Sequence, residues 1–308
     1  MSRIQQILAK AERDGTARRI GAHEEPPMPE APLTSYVSPE VFESIGTMDV
    51  DAQDVDSRGT APSRGADPMH ERPASESVPL RPSARVPVEA TPNPVLVAAL
   101  EPLSPAAEQY RSLRGRIGRA EGTQPLRVIQ VTSPGKHDGK TVTALNLALT
   151  MAQEFQQRVL VMDTDLRSPG VHELLGVPPG PGLVDVLTGE ATLEDALIEI
   201  AGYRLTVLRA GRPYDRPAEM LGSAPMRRLL DTLRSQFDRI VIDSGPATIA
   251  DPAAVATLAD TLVLVVRAGT TTKPAIARAI QALGSAKLLG LVFNASGTLQ
   301  HTPYAASA

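Results

Sequence analysis

The sequence predicts an α/β fold built on a doubly wound, mainly parallel sheet. Three observations predict it. Strand-length apolar runs alternate with helical stretches between about residues 127 and 294, and such alternation covers both faces of a sheet through right-handed crossovers. The runs are continuously apolar, as strands buried on both faces are. The first of them, Val128-Ile-Gln-Val-Thr, passes through a tight loop into Gly139-Lys140-Thr141 at the start of a helix, which is the order of a phosphate cradle.

Along the chain, Ile4, Ile7, Leu8 and Ala11 make a short amphipathic stripe over residues 1–14, which frays or folds on a partner. Residues 15–98 hold nearly half of the 28 prolines and no sustained period, so they read as a disordered linker that buries too little apolar surface to offset ordering entropy. One folded domain, residues 102–296, is left, followed by a flexible tail over 297–308. Strands are expected near 127–132, 158–163, 204–209, 239–243, 261–267 and 288–294, with helices over 141–154, 225–236 and 273–283 among the connections. Thr192-Leu-Glu-Asp195 reads as a capping box for a helix carrying Leu193, Ala196, Leu197 and Ile200.

Composition narrows the function. With no cysteine there is no disulfide framework and no thiolate-held iron–sulfur cluster. No apolar run approaches the ~20 residues that span a bilayer, and no signal-peptide core opens the chain, so the expected location is cytoplasmic. A net charge of -4 and 3% aromatic residues argue against a general nucleic-acid surface, and no nucleic-acid partner is expected.

The chemistry concentrates in the loop and at two strand ends. Backbone N–H groups around Ser133, Gly135, Gly139 and Val142 are placed to face phosphate oxygens, Lys140 to reach the terminal phosphates and the Thr141 hydroxyl to hold a metal ion. The strict pattern places a glycine where Pro134 stands, with Gly135 next to it. One apolar run stops at Asp163, Asp165 and Arg167, and another at Asp243. Ligands of such sheets bind outside the carboxyl ends of the strands, where the three carboxylates gather beside the loop. They would repel a triphosphate without a cation, so ATP or GTP with Mg2+ is the expected ligand.

Taken together, the loop with the following Asn146-Leu-Ala, the Asp163-x-Asp165-x-Arg167 strand end, Phe237-Asp-Arg-Ile-Val-Ile-Asp243-Ser, Pro217-Ala-Glu-Met-Leu-Gly-Ser223 and Leu264-Val-Val-Arg267-Ala-Gly-Thr270 resemble the bacterial tyrosine autokinases of capsule and exopolysaccharide biosynthesis. The resemblance covers about residues 102–296 and implies a P-loop NTPase fold of the deviant Walker type, with ATP and Mg2+ as ligands. It implies that Lys140 neutralises phosphate charge, that Thr141, Asp163 and Asp243 serve the metal, and that Asp165 accepts the substrate tyrosine's proton. Arg167 contacts phosphate or pairs with one of these acids. Asn294 reads the adenine edge or serves as a strand-end turn residue.

Glu108, Arg111 and Arg114 share one helical stripe, which the family uses to close a ring of subunits and which otherwise forms an internal salt bridge. The resemblance also implies a membrane polysaccharide co-polymerase, a chain-length regulator, as partner, recruiting the protein to the inner face of the membrane. Tyr304, on the tail, is the expected autophosphorylation target. The chain departs from the family pattern at Lys136 and His137, at Gly245 and in having one tail tyrosine instead of a cluster. Two other readings stay open: a non-kinase ATP-binding switch controlling the co-polymerase, and a partitioning-type ATPase, whose signature lysine falls at Gly135 here.

Overall fold

Strongly apolar runs with many β-branched residues form the centre of one sheet in the computed structural model, which describes residues 35–36, 87–122, 125–154, 157–283 and 287–295. The parallel strands are β2 (Val128–Thr132), β3 (Val159–Asp163), β5 (Leu205–Leu208), β6 (Arg239–Asp243), β7 (Thr261–Arg267) and β8 (Leu288–Asn294). Two antiparallel strands flank them: β1 (Ser35–Tyr36) beside β8 and β4 (Leu197–Ile200) beside β5. The order across the sheet is β1-β8-β7-β2-β6-β3-β5-β4. The expected strands and the parallel sheet are therefore present, with boundaries moved by a residue at most.

Neighbouring positions on a strand face opposite ways, and both faces are covered. Ile129, Val131, Val159 and Val161 pack with α1 (Val97–Leu100), α2 (Pro105–Ala120) and α3 (Lys140–Ala152). Val128, Leu160, Met162, Ile240 and Ile242 pack on the other side with α5 (Leu183–Thr188), α7 (Pro217–Leu221), α8 (Ala224–Gln236) and α9 (Asp251–Ala256). Two-sided burial is why these runs lack alternation. The β7 residues Leu262, Leu264 and Val266 pack against Ile276 and Ala279 of α10 (Lys273–Ala282). Short helices α4 (Val171–Leu175) and α6 (Leu193–Ala196) complete the set.

Two expectations change. The helix read from Thr192 ends after Ala196, and Leu197–Ile200 forms β4, antiparallel to β5. A four-residue apolar run fits a helix stripe and an edge strand equally, and the open edge of β5 decides. The linker read over 15–98 includes Ser35–Tyr36, which forms β1, and residues 87–98, which lie on the domain: Val88 bridges Ile200, and Leu96 is fully buried. Buried Asn146 of α3 accepts the N–H of Ala98 at 2.9 Å and donates to the Val95 carbonyl at 3.0 Å. The apolar run Val95–Leu100 was masked by the prolines around it. The stripe over 1–14, residues 15–34 and 37–86 of the linker and the tail over 297–308 with Tyr304 lie outside the described residues.

Candidate active site

The loop between β2 and α3 is shaped by its own side chains and by two distant strand ends. Gly139 has φ 96°, and a Cβ there would collide with the Asn294 amide, so only glycine fits both demands. His137 takes φ 63°, a conformation that histidine tolerates better than most residues, so this departure from the family pattern keeps the loop's path. Asp138 is buried: one carboxylate oxygen accepts the Gly135 N–H at 2.8 Å, and the other accepts the Thr271 hydroxyl at 2.7 Å. Arg267 donates to the His137 carbonyl at 3.1 Å and Asn294 to the Asp138 carbonyl at 3.0 Å. The Ser133 hydroxyl donates to the Gly135 carbonyl at 2.6 Å. Asp138 and Thr271 escaped sequence reasoning, and Arg267 was read only as part of a motif with no contact assigned, because these roles depend on β7 and β8 ending beside the loop.

The acids converge as the strand ends require. Asp163 and Asp243 are register partners on the adjacent parallel strands β3 and β6. Lys140, at the first position of α3, places Nζ 2.8 Å from Asp165 Oδ2, while Asp165 Oδ1 accepts the Ser168 N–H at 3.2 Å. Asp163 accepts N–H groups from Asp165, Gly170 and Val171 at 3.1 to 3.2 Å. Both oxygens of Asp243 are buried with no hydrogen-bond donor.

Charge in this space is costly, and the pKa values follow. Burial pushes the Asp163 carboxyl well above its ordinary value, and the neighbouring Asp243 adds to the rise against the N–H groups that hold it. Burial raises Asp243 to about 6, opposed by Lys140 and by the nearby Thr141 hydroxyl, which favours the charged form without reaching bonding geometry. For Lys140, burial disfavours the charge, but Asp243, Asp165 and Asp163 outweigh it and raise its pKa.

A metal ion fits this arrangement. Among the described residues no group of three or more His, Cys, Asp or Glu is arranged to hold a metal by itself, but Mg2+ ordinarily takes one or two carboxylates and fills its shell with phosphate oxygens and water. The unbonded Asp243 carboxylate, with Thr141 and Asp163 beside it, is such a partial donor set.

The remaining candidates divide. Arg167 pairs with Asp251 at 2.7 Å, an ion pair with a different acid from those expected. The Asn294 side chain, expected at an adenine edge, is buried and engaged by the loop backbone. Val142 lies in the first turn of α3, its carbonyl accepting the Asn146 amide. Glu108 and Arg111 form an i,i+3 pair at 2.7 Å. Arg114 reaches Glu154, at 3.0 Å, and the Thr150 carbonyl beside it.

The site has known counterparts. No protein-family model matches the chain. Tyrosine-protein kinase YwqD of Bacillus subtilis is 34% identical over 212 residues, spanning 68% of this chain and 89% of that protein. The kinase domain of the Escherichia coli tyrosine kinase Etk superposes with a TM-score of 0.61 at 28% identity, covering 64% of this chain and 78% of that structure. The chain belongs to the bacterial tyrosine-protein kinases. The succinoglycan biosynthesis transport protein ExoP of Rhizobium meliloti is 28% identical over 75% of this chain, which spans 28% of that longer protein. Membership decides for the kinase reading over the switch and the partitioning ATPase. In this kinase no described helix is long and apolar enough to cross a membrane.

Proposed function

We propose that this kinase transfers the γ-phosphoryl group of Mg-ATP to tyrosine, its own Tyr304 first, and so regulates a membrane co-polymerase of exopolysaccharide or capsule synthesis. The observation that carries the reading is the Lys140–Asp165 pair beside an unbonded, buried Asp243. The pair stores an ammonium and a carboxylate that phosphoryl transfer needs apart. As the triphosphate enters, Lys140 is drawn to its oxygens, and Asp165 keeps one oxygen on the Ser168 N–H while the other is released to face the phenol. The phenol oxygen then bonds to the γ-phosphorus, the bond to the β–γ bridging oxygen breaks, and the phenolic proton passes to Asp165. Little further covalent chemistry is required, because positioning and charge neutralisation supply most of the catalysis. Thr141, Asp243 and Asp163 would hold Mg2+, which neutralises phosphate charge.

Burial disfavours three of the other four tyrosines as targets. Tyr110 is buried, and Tyr203 and Tyr214 are half-buried against the two core faces. Recruitment by a polysaccharide co-polymerase accords with the likeness to ExoP, a succinoglycan biosynthesis transport protein. Assembly into a ring through Glu108 and Arg111 would place one subunit's tail at its neighbour's site.

Incubation with Mg-ATP followed by mass-spectrometric mapping tests the reading. Phosphate is expected on Tyr304, lost in Tyr304→Phe with ATP binding intact, and lost in Asp165→Asn with Tyr304 present. Lys140→Met is expected to lose ATP binding itself. Undiminished phosphotyrosine in Tyr304→Phe would exclude the target, and unmodified wild-type tyrosines in the presence of the co-polymerase would exclude the kinase reading.

A further inference from the structure

A cavity of about 480 Å³ opens beside the carboxyl edge of the sheet, next to the acidic strand end, a size typical of small-molecule sites. Its wall includes Pro169, His172, Pro181, Pro213, Arg209 and Arg212. Arg209 directly follows β5, and since Leu208 pairs with Met162, it stands level with Asp163 on the neighbouring strand. Ligands of parallel sheets gather at this edge.

The charges in the wall are unequally satisfied. Arg212 pairs with Glu190 at 2.5 Å and with Asp185 at 3.4 Å, and Asp185 also accepts the Gly182 N–H at 2.9 Å. Both acidic side chains of the wall are thereby engaged. Arg209 is 7% exposed and makes one hydrogen bond, from Nη1 to the Pro178 carbonyl at 2.8 Å; its Nε is buried without a partner. Asp185 attracts it through space, but burial dominates and lowers its pKa. A guanidinium offers five donors, and leaving the Nε donor unbonded in a buried place is costly unless a ligand completes it. Gly180 leaves room for this placement, since a Cβ there would press on the guanidinium at 2.8 Å.

We propose that this cavity binds a small molecule carrying one oxyanion, a carboxylate or a phosphate ester, on a sugar-sized ring. Arg209 takes the oxyanion, because planar guanidinium matches both groups, and the ring lies against Pro169, Pro181 and Pro213. The site does not depend on the kinase reading. It does adjoin it: Pro169 and His172 bracket Gly170 and Val171, whose N–H groups hold Asp163.

Thermal unfolding of the whole chain with glucuronate, glucose 1-phosphate or inorganic phosphate tests the proposal. The Lys140→Met background keeps phosphate binding at the nucleotide loop out of the readout, so failure here and failure of the kinase reading are separate results. At saturation a ring-bearing anion is expected to raise Tm by about 4 °C, more than inorganic phosphate does. Adding Arg209→Met is expected to abolish that shift while leaving the ligand-free Tm equal or higher, since an underbonded buried charge is removed. Arg209→Lys, which keeps the charge and loses the fork, is expected to retain less than half of the shift. The proposal is overturned if no anion shifts Tm, if Arg209→Met keeps the shift, or if Arg209→Met alone lowers Tm and so marks Arg209 as structural.

Discussion

Asp243 is placed at the expense of the fold. Its two carboxylate oxygens are buried without donors, an arrangement that destabilises the ligand-free protein. Asp243→Asn removes the charge, and Lys140 keeps its pair with Asp165. Without nucleotide the variant is expected to gain roughly 1 kcal/mol, or about 2–4 °C in Tm, while phosphotransfer is lost. Scanning calorimetry of both proteins checks this, and a lower Tm for the variant would show that Asp243 is structurally satisfied after all. At the same scale, Lys140, Thr141 and the three site acids were legible in the sequence, because a Gly-Lys-Thr helix start and acids closing apolar runs are local patterns. Asp138 was not, since its partner Thr271 is 133 residues away.

Between elements, Asp260 ties three pieces of backbone together. It accepts the N–H of Val128 at the start of β2 and a two-pronged contact from Arg234 near the end of α8, at 2.7 and 3.0 Å, just before β7 begins. Burial alone would raise its pKa, but Arg234 and the Val128 N–H outweigh it and hold it below its ordinary value of 3.8. The folded protein thus binds this proton less readily than the unfolded chain, so the stabilisation is present above about pH 4 and is lost as pH falls through the depressed pKa. Asp260→Asn is expected to cost about 1–2 kcal/mol at pH 7. Urea unfolding at pH 7 and at about pH 3 should find the gap between wild type and variant narrowing at the lower pH, and a gap that widens would reverse the assigned sign. The element that sequence misread, β4, also belongs here: Leu197–Ile200 is a strand only because β5 offers an unpaired edge.

At the scale of the assembly, the internal contacts of α2 sharpen the ring proposal. Arg114 ties α2 to the end of α3 through Glu154 and Thr150, so its replacement would disturb the subunit as well as an interface. Among the described residues Glu108 and Arg111 pair across one turn of α2, and Arg111 also donates to the preceding Pro102 carbonyl, an exposed contact whose loss costs the fold little. Glu108→Ala with Arg111→Ala, sparing Arg114, is therefore expected to give folded monomers where the wild type sediments as a closed oligomer. Wild-type protein that stays monomeric at high concentration in every nucleotide state would end the ring reading.

The sequence by itself determined the sheet, the order of strand and helix, the phosphate loop and the acidic strand ends, because each is written in neighbouring residues with a fixed period or spacing. Tertiary structure alone decided the rest. It drew Arg167 to Asp251 and Asn294 to the loop backbone, laid residues 87–98 on the core, and left Arg209 buried with one hydrogen bond beside a cavity. These outcomes depend on which distant groups meet once the sheet has closed, and burial then fixes whether a side chain's charge is paired or left for a ligand.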